Sequence, residues 1–249
     1  MAVGILSAYA ALGSLARGRG WNSDRLSNLV ALLVFGGLAG ARAFFVAEHW
    51  SWYAGDPLAV LRIWEGGLMY YGSIVAGAAI LAAWCVATKT PPLPLFDLFA
   101  AVVPLGQAFG RVGCFMNGCC HGRVADSFVS VAFPAGSPPW MDQVRAGLIP
   151  QSAARSLPVL PVQLFEAAGC FLLFLALRRL FRTKRAENAP GLVLAAYLAG
   201  YGALRFATEL LRADERARPF GGPLSISQCI SLAALALAAA LLLRLLRRR

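Results

Sequence analysis

The fold is decided by apolar stretches as long as a bilayer is thick, such as residues 192–211, LVLAAYLAGYGALRFATELL. A transmembrane helix needs about 20 predominantly apolar residues, and in this stretch only Arg205 and Glu209 are charged. Similar stretches occupy residues 2–15, 29–46, 68–88, 95–110, 159–177 and 224–243. The sequence therefore predicts an all-α, polytopic membrane protein with about seven transmembrane helices.

The composition of the whole chain agrees with that prediction. Of the 249 residues, 59% are hydrophobic and 14% are charged, whereas an average soluble domain is roughly 45–50% apolar and about 25% charged. Such a chain has too few polar groups to cover a water-exposed surface. A disordered chain, a coiled coil and an ordinary soluble enzyme are excluded. We expect a single integral membrane domain over residues 1–249, with an outer-side loop region at 112–158.

The basic residues indicate how the chain is oriented. Lys and Arg number 23 against 12 Asp and Glu, a net charge of +11. The connections after the first, third and fifth apolar stretches, together with the segment after the seventh, hold 13 of these basic residues. They hold only two acids, Asp24 and Glu187. Because cytoplasmic loops are rich in Lys and Arg, we expect the N-terminus outside and the C-terminus in the cytoplasm. We expect the surplus positive charge to lie in these loops and to bind anionic membrane lipids. We expect no nucleic acid partner.

Charged residues also lie inside the apolar stretches or at their ends. In the expected topology five of them fall toward the outer halves of their helices: Arg42, Arg111, Glu166, Arg205 and Glu209. Charges at such depths are costly and usually face a functional interior. The longest connection lies on the same side of the membrane. The sequence therefore predicts a polar cavity that opens to the outer leaflet or the periplasm.

Four motifs concentrate the unusual residues. They are WEGGLMYYGS at 64–73, GRVGCFMNGCCHGR at 110–123, PVQLFE at 161–166 and YGALRFATELLR at 201–212. The glycine pair of the first motif allows close backbone approach to a ligand or another helix. In the second, Arg111 before a glycine-rich turn suits an anionic head group. In the fourth, Tyr201, Arg205 and Glu209 are spaced four residues apart and share one helix face.

In their order along the chain, these blocks resemble the prolipoprotein diacylglyceryl transferase family, over nearly the whole length. The resemblance implies transfer of a diacylglyceryl group from phosphatidylglycerol to the lipobox cysteine thiol of prolipoproteins, with release of glycerol phosphate. It also implies a multi-pass protein of the bacterial cytoplasmic (inner) membrane, with an active site toward the outer leaflet or periplasmic side. The implied partners are phosphatidylglycerol, the prolipoprotein lipobox segment and membrane lipids, with no cofactor and no metal.

The resemblance also assigns site residues. Arg111 and Arg205 are the expected catalytic residues, and Arg111 also binds the lipid. The other expected substrate-binding residues are Asn117, Gly122, Tyr71, Tyr201 and Glu209. The chain departs from the family pattern at three positions: Tyr71 stands where His is usual, Cys114 where Asn is usual and Cys119 where Glu is usual.

The cysteines leave several interpretations open. Cys85, Cys170 and Cys229 lie in apolar stretches and are expected to behave as small hydrophobic residues. The others form a cluster in sequence with a histidine: Cys114, Cys119, Cys120 and His121. This cluster is compatible with a disulfide, with free thiols or with a zinc-type Cys/His site. Two other hypotheses for the chain follow: a lipid-binding or lipid-transferring protein of the same fold with another acceptor, and a membrane thiol or metal protein that uses the cluster.

Overall fold

A computed structural model describes residues 2–213 and 223–247. Its contacts divide the chain into two compact units, a larger one formed by Met1–Leu15 with Phe96–Arg249 and a smaller one formed by Ala16–Leu95. The helices are α1 (Ala2–Arg17), α2 (Ser23–Glu48), α3 (Trp50–Tyr53), α4 (Tyr70–Thr88), α5 (Pro92–Ala100), α6 (Val103–Asn117), α7 (Pro138–Arg145), α8 (Val162–Phe181), α9 (Lys184–Asn188), α10 (Leu192–Glu209) and α11 (Ile226–Arg247). The single membrane domain expected over residues 1–249 stays a prediction.

The all-α membrane fold is confirmed. Each predicted apolar stretch contains a helix, and the described residues contain no strand. Within residues 2–213 and 223–247, four helical segments are long and apolar enough to cross a bilayer: Ser23–Glu48, Tyr71–Thr88, Pro92–Asn117 and Ile226–Arg247. Large apolar side chains also point outward, as at Phe35 (72% exposed) and Val86 (81%), as expected for surfaces that contact lipid. The number of spans and their orientation stay predictions.

In the smaller unit, α2 packs closely on α4. The Ser73 hydroxyl donates to the carbonyl oxygen of Gly37 (3.0 Å), and the Met69 amide donates to that of Ala41 (3.0 Å). A Cβ at Gly72 would clash with the backbone of Gly40. Gly72 of the first motif therefore permits close approach of two helices, whereas the role was indicated by the sequence for the glycine pair Gly66–Gly67.

Arg42 is buried in the smaller unit and binds peptide carbonyls. Its guanidinium donates to the oxygens of Ala59 (2.7 Å), Val60 (2.8 Å) and Gly66 (2.7 Å). Gly67 has φ +74°, and a Cβ there would lie 2.6 Å from Arg42 Nη1. Arg42 of α2 thus holds the segment between α3 and α4 against α2 through these hydrogen bonds. This corrects the expectation that Arg42 faces a polar cavity with the other charged residues.

In the larger unit, α8 packs against both α6 and α10, and α10 packs against α11. Helix α6 continues to Asn117, because the first residue that leaves the helical conformation is Gly118, at φ +76°. The helix therefore runs beyond the apolar stretch that ends at residue 110, and the outer-side loop region at 112–158 stays a prediction. Arg111 consequently lies within a helix, which fixes its backbone.

The start of α10 is fixed by a buried carboxylate. Asp97 of α5 is 1% exposed, and its two oxygens accept the amides of Gly191 and Leu194, both at 2.7 Å. These bonds satisfy N–H groups that the first turn of a helix leaves unpaired. The bonds hold the helix that carries Tyr201, Arg205 and Glu209.

Candidate active site

Two arginines from different helices meet at one buried glutamate. Arg111 of α6 places Nη2 2.9 Å from Oε1 of Glu166 on α8, and Arg205 of α10 places Nη1 3.7 Å from Oε2 of the same carboxylate. The Glu166 side chain is fully buried, at 0% exposure. A buried carboxylate requires positive partners, and here it holds two guanidiniums beside each other.

The other side of Arg205 is held by α10 and α11. Its Nη2 lies 2.7 Å from Oε2 of Glu209 and donates to the hydroxyl of Ser227 (3.1 Å). Oε1 of Glu209 in turn accepts the hydroxyl of Ser225 at 2.7 Å. Glu209 therefore orients Arg205, as the spacing of four residues on one helix face predicts.

Tyr201 occupies the same face of α10, one turn before Arg205. Its hydroxyl interacts with the guanidinium of Arg111. Its ring stacks on Tyr197, with centroids 5.8 Å apart and planes at 9°. The Tyr197 hydroxyl accepts a hydrogen bond from Gln107 Nε2 of α6 at 3.0 Å. These contacts hold α6 and α10 together beside the arginine pair.

The two arginines keep capacity for a further anion. Arg205 Nη1 forms no hydrogen bond with the described residues, because Glu166 Oε2 lies 3.7 Å away. Arg111 carries five N–H donors. It contacts Glu166 and Tyr201, and its side chain is still 20% exposed. Guanidinium donors bind phosphate oxygens well, often in pairs. The arrangement can therefore hold an anionic head group.

The structure gives the remaining predicted residues other surroundings. Asn117 is exposed at the last position of α6. Gly122 is buried, and a Cβ on it would lie 2.6 Å from Val162 Cγ2 and 2.7 Å from the oxygen of Leu160, so this position requires glycine for close packing. Tyr71 belongs to the smaller unit, where its side chain is 52% exposed.

Glu166 was expected in the polar cavity, but no role at the site was expected of it. Its partners lie far away in the chain, so no local spacing connects them. The sequence nevertheless hints at this role, because Glu166 places a carboxylate inside an apolar stretch, and such a group needs a cation nearby. Arg111, for which no partner was expected, was one available cation.

The cysteine cluster lies at the end of α6. All six cysteines are within the described residues and all are free thiols. The sulfur atoms of Cys114, Cys119 and Cys120 lie within 4.8 Å of one another. His121 does not join them: it is 4% exposed, and its Nε2 lies 3.1 Å from Oδ2 of Asp142.

Cys120 has charged neighbours. A hydrogen bond from Cys114, followed by a hydrogen bond and the charge of Arg212 and by the charge of Arg111, lowers the pKa of Cys120 to about 4, although burial opposes this shift. A guanidinium near a thiol favours the thiolate form. Cys120 of the cluster therefore interacts with the charge of Arg111, one of the two arginines of the pair.

Apolar helices around a buried arginine pair are typical of an integral membrane protein. The family model for prolipoprotein diacylglyceryl transferase matches residues 1–244. The chain belongs to this family, and it is accordingly a diacylglyceryl transferase of lipoprotein biosynthesis.

Named relatives resemble the chain along most of its length. It is 32% identical over 237 residues to phosphatidylglycerol–prolipoprotein diacylglyceryl transferase 2 of Clostridium perfringens, covering 92% of this chain and 83% of that protein. It is 31% identical to the phosphatidylglycerol–prolipoprotein diacylglyceryl transferase of Clostridium tetani (93% and 85% covered) and 34% identical to that of Parasynechococcus marenigrum (85% and 75%). The resemblance stated from the motifs is confirmed.

Proposed function

We propose that this chain transfers a diacylglyceryl group from phosphatidylglycerol to the cysteine thiol of a prolipoprotein, and that Arg111 and Arg205 hold the lipid phosphate. The names of the relatives support the two substrates. One observation carries the site: two guanidiniums from separate helices share the buried carboxylate of Glu166.

The carboxylate is what makes this pair of arginines suitable for a phosphodiester. Two unneutralised guanidiniums side by side in an apolar interior would repel each other and would be costly to bury. Glu166 removes that repulsion and fixes both side chains, so that little ordering is left when the lipid arrives. The remaining donors of Arg111 and Arg205 then bind phosphate oxygens, in the bidentate manner that guanidinium favours.

The reaction is a substitution at carbon. The prolipoprotein thiol gives its proton to solvent, and the thiolate attacks the glyceryl carbon that bears the phosphoester oxygen. The C–S bond forms as the C–O bond breaks, and its electron pair leaves on the oxygen of glycerol phosphate. Arg111 and Arg205 stabilise the charge that this leaving group gains, which is the most effective place for fixed positive charge. A free thiol has a pKa of about 8.5, so the positive surroundings also favour the thiolate.

The other residues take supporting roles in this proposal. Glu209 and Tyr201 orient Arg205 and Arg111, respectively. Asn117 contacts substrate from its exposed position at the end of α6. Gly122 keeps the turn after α6 packed against the start of α8. Tyr71 also contacts substrate in this proposal, and the only support for that role is its place in the family motif.

The location follows from the same reasoning. We place the protein in the bacterial cytoplasmic membrane, with the arginine pair toward the outer leaflet or periplasm. Basic residues of the alternate connections support this orientation through the positive-inside rule. Phosphatidylglycerol then reaches Arg111 laterally from the membrane, and membrane lipids surround the apolar helices.

Complementation tests the proposal. A bacterial strain depleted of its own diacylglyceryl transferase is supplied with the wild-type chain, and a reporter lipoprotein is examined by mass spectrometry for a diacylglyceryl thioether. We expect growth and modified reporter with the wild type, and neither with Arg111→Ala at equal membrane levels. Binding of phosphatidylglycerol by the purified chain without any modified reporter would instead indicate a lipid-binding protein of the same fold.

A further inference from the structure

A cluster of three thiols next to the arginine pair is not used by the transfer reaction. Cys114 lies in the last turn of α6, and Cys119 and Cys120 follow the glycine that ends that helix. All three side chains are partly buried, and their sulfur atoms lie within 4.8 Å of one another. From this cluster we propose that Cys114, Cys119 and Cys120 form a binding site for one soft metal cation, of the Zn²⁺, Cd²⁺ or Cu⁺ type.

The turn that carries the sulfurs is held in place before any ion binds. Gln163 Nε2 of α8 donates to the carbonyl oxygen of Cys119 at 2.8 Å. The Cys119 thiol points back to the carbonyl oxygen of Cys114 at 3.7 Å. Cys120 has a left-handed backbone, with φ +62°, which is uncommon for a residue with a side chain. These features gather the three sulfurs on one side of the turn, so binding requires little rearrangement of the backbone.

The donor set selects the class of ion. Sulfur ligands favour Zn²⁺, Cu⁺ and similar soft cations, whereas Mg²⁺ and Ca²⁺ favour oxygen. Zinc–sulfur bonds of about 2.3 Å in a tetrahedron separate the sulfurs by about 3.8 Å, so the cluster contracts by about 1 Å at most. His121 stays outside the ligand set, because its Nε2 faces Asp142 and its Nδ1 faces the oxygen of Gly122. The fourth position is left to water.

Charge connects the cluster to the arginine pair. Arg212 hydrogen-bonds to Cys120, and Arg111 also interacts with it electrostatically. Three thiolates and one divalent cation form a complex with one net negative charge, which these guanidiniums neutralise. Thiol protons pass to solvent as the metal–sulfur bonds form, and no electron is transferred.

Cadmium titration tests the site without any reference to transfer. The purified full-length chain in detergent, reduced and stripped of metal, is titrated with Cd²⁺ while the thiolate-to-metal absorption band and the bound metal are measured. We expect one Cd²⁺ per chain, not displaced by excess Mg²⁺. Replacement of any one ligand (Cys114→Ser, Cys119→Ser or Cys120→Ser) weakens binding by more than about 100-fold, since even partners behind the ligands typically contribute 10–100-fold. Cys85→Ser is the matched control and leaves binding unchanged.

Two results would overturn the inference. The metal site is refuted if the wild type does not bind Cd²⁺. It is also refuted if the three cluster variants bind Cd²⁺ as tightly as the wild type does. A chain that binds Cd²⁺ but never transfers diacylglyceryl would contradict the proposed function and leave the metal site standing.

Discussion

Replacing Glu166 with glutamine removes one negative charge from the centre of the arginine pair and keeps the shape of the side chain. The carboxylate lies 2.9 Å from Arg111 Nη2 and 3.7 Å from Arg205 Nη1, and it is fully buried. Without its charge, the two guanidiniums repel each other in an apolar environment. We expect the variant to be less stable and less active than the wild type.

The size of the effect can be worked out from these distances. At an effective dielectric constant of about 20, the two attractions amount to about 6 and about 4 kcal/mol before desolvation is subtracted. Burying the charges consumes much of this energy, and removal of one partner from a buried ion pair costs about 3–5 kcal/mol in total. For a chain of this length, each kcal/mol shifts the midpoint of thermal unfolding by about 2–4 °C. Glu166→Gln should therefore lower the midpoint by at least about 6 °C.

The assay is thermal unfolding in detergent, with and without added phosphatidylglycerol. If the lipid phosphate binds the arginine pair, it supplies the missing negative charge, so phosphatidylglycerol raises the midpoint of Glu166→Gln more than that of the wild type. Asp97→Asn is the matched control: it removes another buried carboxylate, whose oxygens accept backbone amides at the start of α10. It should be destabilised without this extra response to the lipid.

Three results would count against this reasoning. The first is a Glu166→Gln protein with the thermal midpoint and transfer rate of the wild type. The second is an equal response of both variants to phosphatidylglycerol. The third is an equal response to a zwitterionic lipid with the same acyl chains, because it would assign the stabilisation to the chains instead of the phosphate.

The remaining predictions concern packing, the smaller unit and the thiol cluster. Gly122→Ala should lower the thermal midpoint and the yield of folded protein, because its Cβ would lie 2.6 Å from a neighbouring atom, whereas Gly113→Ala, with nothing within 4 Å, should not. Arg42→Met should cost several kcal/mol of stability, because it removes hydrogen bonds from a charged donor to the oxygens of Ala59, Val60 and Gly66, each of about 1.5–3 kcal/mol, and limited proteolysis should then cleave between α3 and α4. Because the pKa of Cys120 is lowered to about 4, its thiolate persists as pH falls; iodoacetamide should label it in metal-free protein at about pH 6, where an ordinary thiol of pKa about 8.5 is protonated. Peptide mapping that finds Cys120 unlabelled at that pH would contradict this last prediction.

The helices could be predicted from the sequence because each apolar stretch must form its own backbone hydrogen bonds in a membrane. Their ends were harder to predict. The apolar stretch that contains the start of α6 ends at residue 110, yet the helix continues to Asn117, since a buried partner for the Arg111 guanidinium removes the cost of a charge inside the helix. Only Gly118, with its positive φ, ends the helix.

Part of the site could also be predicted, because Arg205 and Glu209 form their ion pair within one helix. The contact of Arg111 with Glu166 could not, since it joins two helices whose packing no local pattern specifies. For the same reason, Arg42 could not be separated from the other intramembrane charges. Its partners are carbonyl oxygens of residues 59–67, and their positions depend on how that segment folds against α2.

The most direct test of the account is the transfer rate of the purified Arg111→Ala protein, measured with labelled phosphatidylglycerol and a lipobox peptide. Removing one group that stabilises developing negative charge typically lowers turnover by about 100–1,000-fold, and we predict a loss of this size. The matched control is Arg145→Ala, whose guanidinium is 77% exposed and pairs only weakly with Asp142, at 3.7 Å, and it should transfer at the wild-type rate. A folded Arg111→Ala protein that transfers the diacylglyceryl group as fast as this control would contradict the account.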